Sequence, residues 1–176
     1  EIIKLPDEQK QPIWETMITF IRKHRRFSSA KWALPPEMVD LLEQTAQKLI
    51  PSNPEYLYRH LFSSKDFDFL DEDLDWQKQQ EKMLTQRIDA LKRIYEIDKT
   101  DSVVIFAKNV EDPTKVGNAF AHIADKVNDT ELLPSFLDYQ VWPNKQFISG
   151  YIWGRYYKDG IKWIDSLATN DWTTEQ

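Results

Sequence analysis

The 176-residue chain contains no cysteine, only four glycines and three histidines, and no long apolar run. Without cysteine there is no disulfide framework and no thiolate metal site, and a cytoplasmic setting is the expectation. A bilayer-spanning helix needs roughly 20 consecutive apolar residues. Here charged residues make up 30% of the chain and interrupt every candidate, so no membrane role is expected. Nothing at the start reads as a signal peptide, and a first residue of Glu suggests a processed or trimmed chain. The shortage of glycine counts against an all-β fold: no two-residue turn signal such as Asn-Gly separates apolar runs.

Catalytic signatures are missing as well. There is no Gly-x-Ser-x-Gly elbow, no phosphate-cradling glycine loop followed by Lys-Ser/Thr, and no dinucleotide-binding glycine trio. His24, His60 and His122 form no pair that would put two imidazoles on one helix face, so they read as hydrogen-bonded structural residues. The acidic run Asp66-Phe67-Asp68-Phe69-Leu70-Asp71-Glu72-Asp73-Leu74-Asp75 fails as a calcium loop. Counted from Asp66, the sixth position is Asp71 instead of Gly and the twelfth is Gln77 instead of Glu. No enzyme activity, metal or cofactor is therefore expected.

What the chain does have is aromatic mass, with seven Trp, seven Tyr and nine Phe. Its apolar residues recur at intervals of three and four, and Pro or Asx residues stand where helices would start. The pattern predicts an all-α domain of stacked antiparallel helical hairpins, resembling an α-solenoid. The first helix is expected over about Pro12–Phe27, with Ile13, Met17, Phe20, Ile21 and His24 on its apolar stripe and Trp14 beside it. The second starts at Pro35-Pro36 and uses Met38, Leu41, Leu42, Ala46, Leu49 and Ile50. Asn53-Pro54 opens a short third helix through Leu61. An acidic linker over 63–75 leads to the longest helix, about Trp76–Ile97, capped by Asp71, Asp73 or Asp75. Further helices are expected at about Ser102–Val110, Pro113–Lys126, Leu132–Tyr139, Pro143–Tyr157 and Ile161–Leu167. The whole chain, 1–176, reads as a single helical domain with possible sub-units 1–62 and 76–176. Thr173-Thr174-Glu175-Gln176 matches a capping box, which predicts a helix beyond the last residue and hence a fragment of a longer array.

Charge is uneven. Residues 1–34 hold seven cations against four anions, residues 35–100 nine against fourteen, and residues 101–176 seven against eleven. The acidic majority excludes a nucleic-acid-coating role. Arg22, Lys23, Arg25, Arg26 and Lys31, interleaved with Phe27 and Trp32, form a basic segment. It suits a solvated helix end, an acidic protein partner, or phosphates and a stacked base. In residues 136–163 the aromatics Phe136, Tyr139, Trp142, Phe147, Tyr151, Trp153, Tyr156, Tyr157 and Trp163 are mostly core material. Trp153 and Tyr157 are candidates to face a partner. Gly150 and Gly154, four apart, suggest a close helix–helix contact.

The segments Glu111-Asp112-Pro113-Thr114-Lys115-Val116-Gly117, Gly150-Tyr151-Ile152-Trp153 and Asp171-Trp172-Thr173 are similar to helical repeat segments of large bacterial multidomain proteins. Those segments resemble HEAT- or TPR-type solenoids and often lie beside an NTPase or effector domain. The likeness covers about residues 100–176. The TPR signature itself is not matched, and no functional residue carries over. The resemblance implies a non-catalytic scaffold that binds a protein or peptide, or other domains of its own chain, with Arg22, Arg25, Arg26, Trp32, Trp153 and Tyr157 as contact candidates. The alternative is a nucleic-acid-binding helical domain acting through residues 22–32.

Overall fold

The computed structural model describes residues 4–64, 75–133, 137, 144–167, 169 and 172. Every regular element among them is helical, and none of them lies in a strand. No described helix is long and apolar enough to cross a membrane. The chain divides into two compact units, one built from residues up to His60, the other from Leu61–Ser64 and everything from the longest helix onward.

The first unit holds α1 (Asp7–Arg26), α2 (Pro36–Gln47) and α3 (Pro54–Leu57). Helix α1 starts five residues before the expected Pro12, and Pro12 lies inside it. Asp7 and Glu8 in the first turn and the cations Lys23, Arg25 and Arg26 in the last turn complement the helix dipole at both ends. Pro12 sits early enough to forfeit only the one bond its nitrogen would have made to Glu8. The apolar stripe keeps Met17, Ile21 and His24 but takes Trp14 and Ile18 in place of Ile13 and Phe20. Trp14, Ile21 and His24 are buried, with Met17 and Ile18 packed beside them, whereas Ile13 and Phe20 are exposed. In α2 the buried residues are Val39 and Ala46, followed by Leu49, while Met38, Leu41 and Ile50 face out. Leu34, Leu42 and Leu57 complete this core.

Short polar clamps fix the chain between the helices. Asp7 Oδ2 accepts the Ser52 N–H and hydroxyl, both at 2.8 Å, and the Asn53 N–H at 2.7 Å. These bonds, the Asn53 amide first and the Ser52 hydroxyl next, hold the Asp7 carboxyl below its usual range. Asn53 in turn caps α3 by accepting from the Glu55 N–H at 2.9 Å, with Pro54 at the first helical position.

A 3-10 turn, Arg59–Phe62, leads into the second unit. Its helices are α4 (Trp76–Ala107), α5 (Pro113–Ala121), α6 (Lys126–Leu132), α7 (Asn144–Asp159) and α8 (Ile161–Ser166). Asp75 caps α4 by accepting from the Lys78 N–H at 2.9 Å. The other two capping candidates, Asp71 and Asp73, lie outside the described residues. Within α4 the dihedrals leave the helical region at Asp98 (φ −151, ψ 46) and Lys99 (φ 49, ψ −132). The break falls next to Ile97, where the sequence predicts an end, yet the helix resumes beyond it without a loop. Ser102 bridges the break, its hydroxyl lying 2.7 Å from the Ile94 carbonyl and 2.8 Å from the Lys99 carbonyl and sharing its one proton between them.

The expected helix Pro113–Lys126 is two elements. α5 ends at Ala121, and Asp125 opens α6 through a reciprocal capping box with Asn128. That box outcompetes continuation of α5 because Asp125 accepts the Val127 and Asn128 N–H groups while Asn128 Oδ1 accepts the Asp125 N–H. Leu132, expected to begin a helix, ends α6, and Leu133 follows it as the cap; of the rest of that expected helix only Leu137 is among the described residues, and Thr173–Gln176 lie outside them. α5 packs directly on α7, and both contact α4. Phe62, Leu91, Ile94, Phe106, Phe120 and Tyr151 are among the most deeply buried side chains of this unit.

The closeness of α5 and α7 depends on glycine. A Cβ at Gly117 would stand 1.9 Å from the Phe147 carbonyl oxygen, and one at Gly150 would stand 2.0 Å from the Thr114 carbonyl oxygen. At Gly154 it would meet the Ala121 Cβ at 2.6 Å. The spacing of Gly150 and Gly154 therefore marks a backbone-to-backbone contact, as the sequence suggests.

Candidate functional site

Asp129, in the middle of α6, is a densely bonded buried carboxylate of the second unit. Its Oδ1 accepts the Tyr151 hydroxyl at 2.6 Å and Arg155 Nε at 3.2 Å. Its Oδ2 accepts Arg155 Nη2 at 3.0 Å and the Trp163 indole N–H at 3.0 Å. Arg155 also reaches the Ala124 carbonyl at 3.3 Å and Asp159 at 2.8 Å. Burial, then the bond to Asp129, raises the Tyr151 hydroxyl far above its ordinary value. A carboxylate with four donors, two on each oxygen, has no lone pair left to take a substrate proton. The arrangement locks α6, α7 and α8 together and is chemically closed.

Beside it Asn128 Nδ2 donates to the Tyr95 hydroxyl at 3.2 Å and to Thr100 Oγ1 at 3.0 Å, and the Thr100 hydroxyl donates to Glu131. These groups tie α6 to the stretch of α4 around its break. Sequence reasoning missed both Asn128 and Asp129: the partners of Asp129 lie 22 to 34 residues away along the chain and those of Asn128 Nδ2 lie 28 to 33 away, although its capping partner Asp125 is local.

On the surface of α7 the picture reverses. Trp153 is 55% and Tyr157 77% exposed, and Tyr156 is exposed as well. The Trp153 and Tyr157 rings stack at 5.5 Å with 27° between planes, and Tyr156 meets Trp153 edge-on at 6.4 Å. Positions i, i+3 and i+4 put the three on one helical face. Phe147 and Tyr151 are buried. Of the other predicted aromatics, Trp163 is buried, while Phe136, Tyr139 and Trp142 lie outside the described residues.

In the first unit the basic segment is brought together unevenly. Arg25 Nη2 contacts Asp40 at 2.5 Å and Glu43 at 2.8 Å, so this cation is committed to two carboxylates of α2. Hydrogen bonds to Glu43 and then Asp40 raise its already high value further. Arg22 and Arg26 are exposed, with the Arg26 guanidinium 5.3 Å from the Phe27 ring. Trp32 is exposed, and Lys23 Nζ lies 5.4 Å from its ring centroid.

His24 and His60 have hydrogen-bond partners within the first unit. His24 accepts the Leu34 N–H on Nδ1 at 2.9 Å. His60 is buried, donates from Nδ1 to the Leu57 carbonyl at 2.9 Å and meets Trp14 edge-on at 5.1 Å. Burial, reinforced by the Arg22 charge, pushes His60 down to about 4. His122 is half-buried and is lowered by desolvation and then by Lys158. Among the described residues no group of three or more His, Asp or Glu is placed to hold a metal ion. The acidic run is outside the described residues except for Asp75.

No protein-family model matches the chain, and no curated protein or solved structure matches it.

Proposed function

We propose that this chain is a non-catalytic recognition and scaffolding segment, a stretch of α-solenoid within a larger multidomain protein, binding protein or peptide partners through exposed aromatic residues. The observation that carries the reading is the Trp153–Tyr156–Tyr157 cluster. Three large rings stand in solvent on a helix whose opposite side is fixed by glycine-mediated contact with α5 and by the Asp129 clamp. Tyr and Trp combine a large apolar area with a polar edge and few rotatable bonds, so rings on a rigid helix lose little entropy when covered. In a solenoid such a face receives either the next repeat or a ligand.

Nucleic-acid binding through residues 22–32 is the weaker reading, since Arg25 is occupied by Asp40 and Glu43. The test is affinity capture with the full chain and with a Trp153→Ala/Tyr157→Ala double variant of equal helicity. Proteins held by the native chain and released by the double variant are the expected result. A captured set that the double variant leaves unchanged would defeat the proposal.

A further inference from the structure

The end of α1 and the turn after it carry a second aromatic surface, which belongs to the first unit. Phe20, Phe27 and Trp32 are 44%, 40% and 52% exposed. These rings are held in place. The buried His24 ring lies 4.2 Å from Phe20 and 5.4 Å, edge-on, from Trp32, and Phe27 lies 5.8 Å from Trp32. The same imidazole accepts the Leu34 N–H, and Leu34 is packed against the core of the unit. The turn between is closed by Ala30 N–H to the Phe27 carbonyl and Ala33 N–H to the Ala30 carbonyl, both 2.9 Å. His24 thus acts as a peg that preorganises three solvent-facing rings.

The segment that carries these rings has charge of one sign. From Phe20 to Leu34 the sequence has five Lys and Arg residues and no Asp or Glu. Lys23 and Arg26 are placed against Trp32 and Phe27, and Lys31 is exposed next to Trp32. We infer that this ridge docks an acidic peptide segment of a partner protein, which sets an apolar side chain against Trp32 and carboxylates against Lys23 and Arg26.

One observation favours a peptide over a nucleic-acid strand. A phosphate backbone running along the ridge would meet Asp40 and Glu43 beside Arg25, whereas a peptide can space its carboxylates to avoid them. A preformed aromatic anchor rimmed by cations is the composition that carries most energy at protein interfaces.

The test is selection of random 12-residue peptides, displayed on phage, against the full chain at low salt. Enriched peptides are then synthesised with fluorescein and titrated by anisotropy. The expected winners are rich in Asp and Glu around an aromatic or aliphatic residue. They should lose at least tenfold in affinity with Trp32→Ala and with Lys23→Glu/Arg26→Glu, and weaken as salt rises. The charge-reversed variant alters only exposed side chains, so it decides the matter should Trp32→Ala disturb the turn. Trp153→Ala/Tyr157→Ala should leave this binding intact, which separates it from the α7 surface. Winners without a carboxylate excess, winners indifferent to both ridge variants, or no enrichment at all would overturn the inference. Tighter binding of a dT oligonucleotide, lost in the same variants, would assign the ridge to nucleic acid instead.

Discussion

Asp129 and Arg155 meet as a two-pronged pair, Nε on Oδ1 and Nη2 on Oδ2, with both side chains under a tenth exposed. Planar guanidinium and carboxylate match in this geometry, and the remaining lone pairs go to Tyr151 and Trp163. Removing the carboxylate leaves a buried cation and two buried donors short of an acceptor. Asp129→Ala is expected to cost about 3–5 kcal/mol, while Tyr151→Phe, which deletes one bond to a charged group, should cost about 1.5–3 kcal/mol. Urea unfolding followed by tryptophan fluorescence measures both. Asp129→Ala proving no worse than Tyr151→Phe would mean that the carboxylate is not the centre of this network.

The α5–α7 contact makes a sharper test, because two opposing effects can be ranked. Alanine is favoured over glycine inside a helix by about 1 kcal/mol. At Gly150 the new methyl would meet the Thr114 backbone 2.0 Å away, and no side-chain rotation relieves that. Gly150→Ala is therefore expected to destabilise by about 3 kcal/mol or more, which requires the helices to part. Gly154→Ala, facing the Ala121 Cβ and the Asn118 carbonyl at 2.6 and 2.8 Å, should be milder. Thermal melts of the two variants give the order; equal stability would refute the backbone contact.

At the break in α4 the usual order of alanine and glycine should invert. Lys99 has φ 49 and ψ −132, a conformation that glycine adopts freely and that strains any residue with a Cβ by about 1–3 kcal/mol. Lys99→Gly and Lys99→Ala both remove the ammonium contact with Tyr95, so the comparison isolates the backbone. The glycine variant should be more stable than the alanine variant by about 1 kcal/mol, after allowing for the larger unfolded-state entropy of glycine. Matched urea titrations decide it, and alanine on top would show that the position is ordinary helix.

How much of this was legible in the sequence follows from how far each signal reaches. Asn53, Asp75 and Asp112 act on amides two or three residues ahead, so the starts of α3, α4 and α5 could be read directly. Pro12 misled because proline favours the first helical turn, whereas here it stands inside a helix that begins at Asp7 and gives up the bond to Glu8. Two residues of the α1 stripe were misplaced because Ile13 and Phe20 are as apolar as the Trp14 and Ile18 that the core selects. The exposed pair Trp153 and Tyr157 showed as a surplus of aromatics beyond what one helix face can bury. Asp129 left no local mark, since nothing in Val127-Asn128-Asp129-Thr130 separates a buried carboxylate from a solvated one. The Lys99 dihedrals were equally invisible, because lysine is a good helix former and gives no warning of positive φ.

Acid should loosen the first unit in a defined window, set by His60. Its imidazole is neutral in the folded protein, held at about 4 by burial, against an ordinary value of 6.5. Between those values the unfolded chain binds a proton that the folded one refuses, so stability rises with pH there and is complete above about 6.5. Falling from pH 7, the loss begins near 6.5 and reaches about 3 kcal/mol by pH 4, at about 1.4 kcal/mol for each unit of difference. Asp7 adds a later loss, because its lowered carboxyl contributes stability that disappears only as pH falls below its ordinary 3.8. His60→Asn retains a donor for the Leu57 carbonyl but cannot titrate. The variant should flatten the stability profile between pH 6.5 and 4 and leave the steeper fall below it. Circular dichroism melts at half-unit intervals would show this, and a native slope unchanged by His60→Asn would place the acid sensitivity in another group.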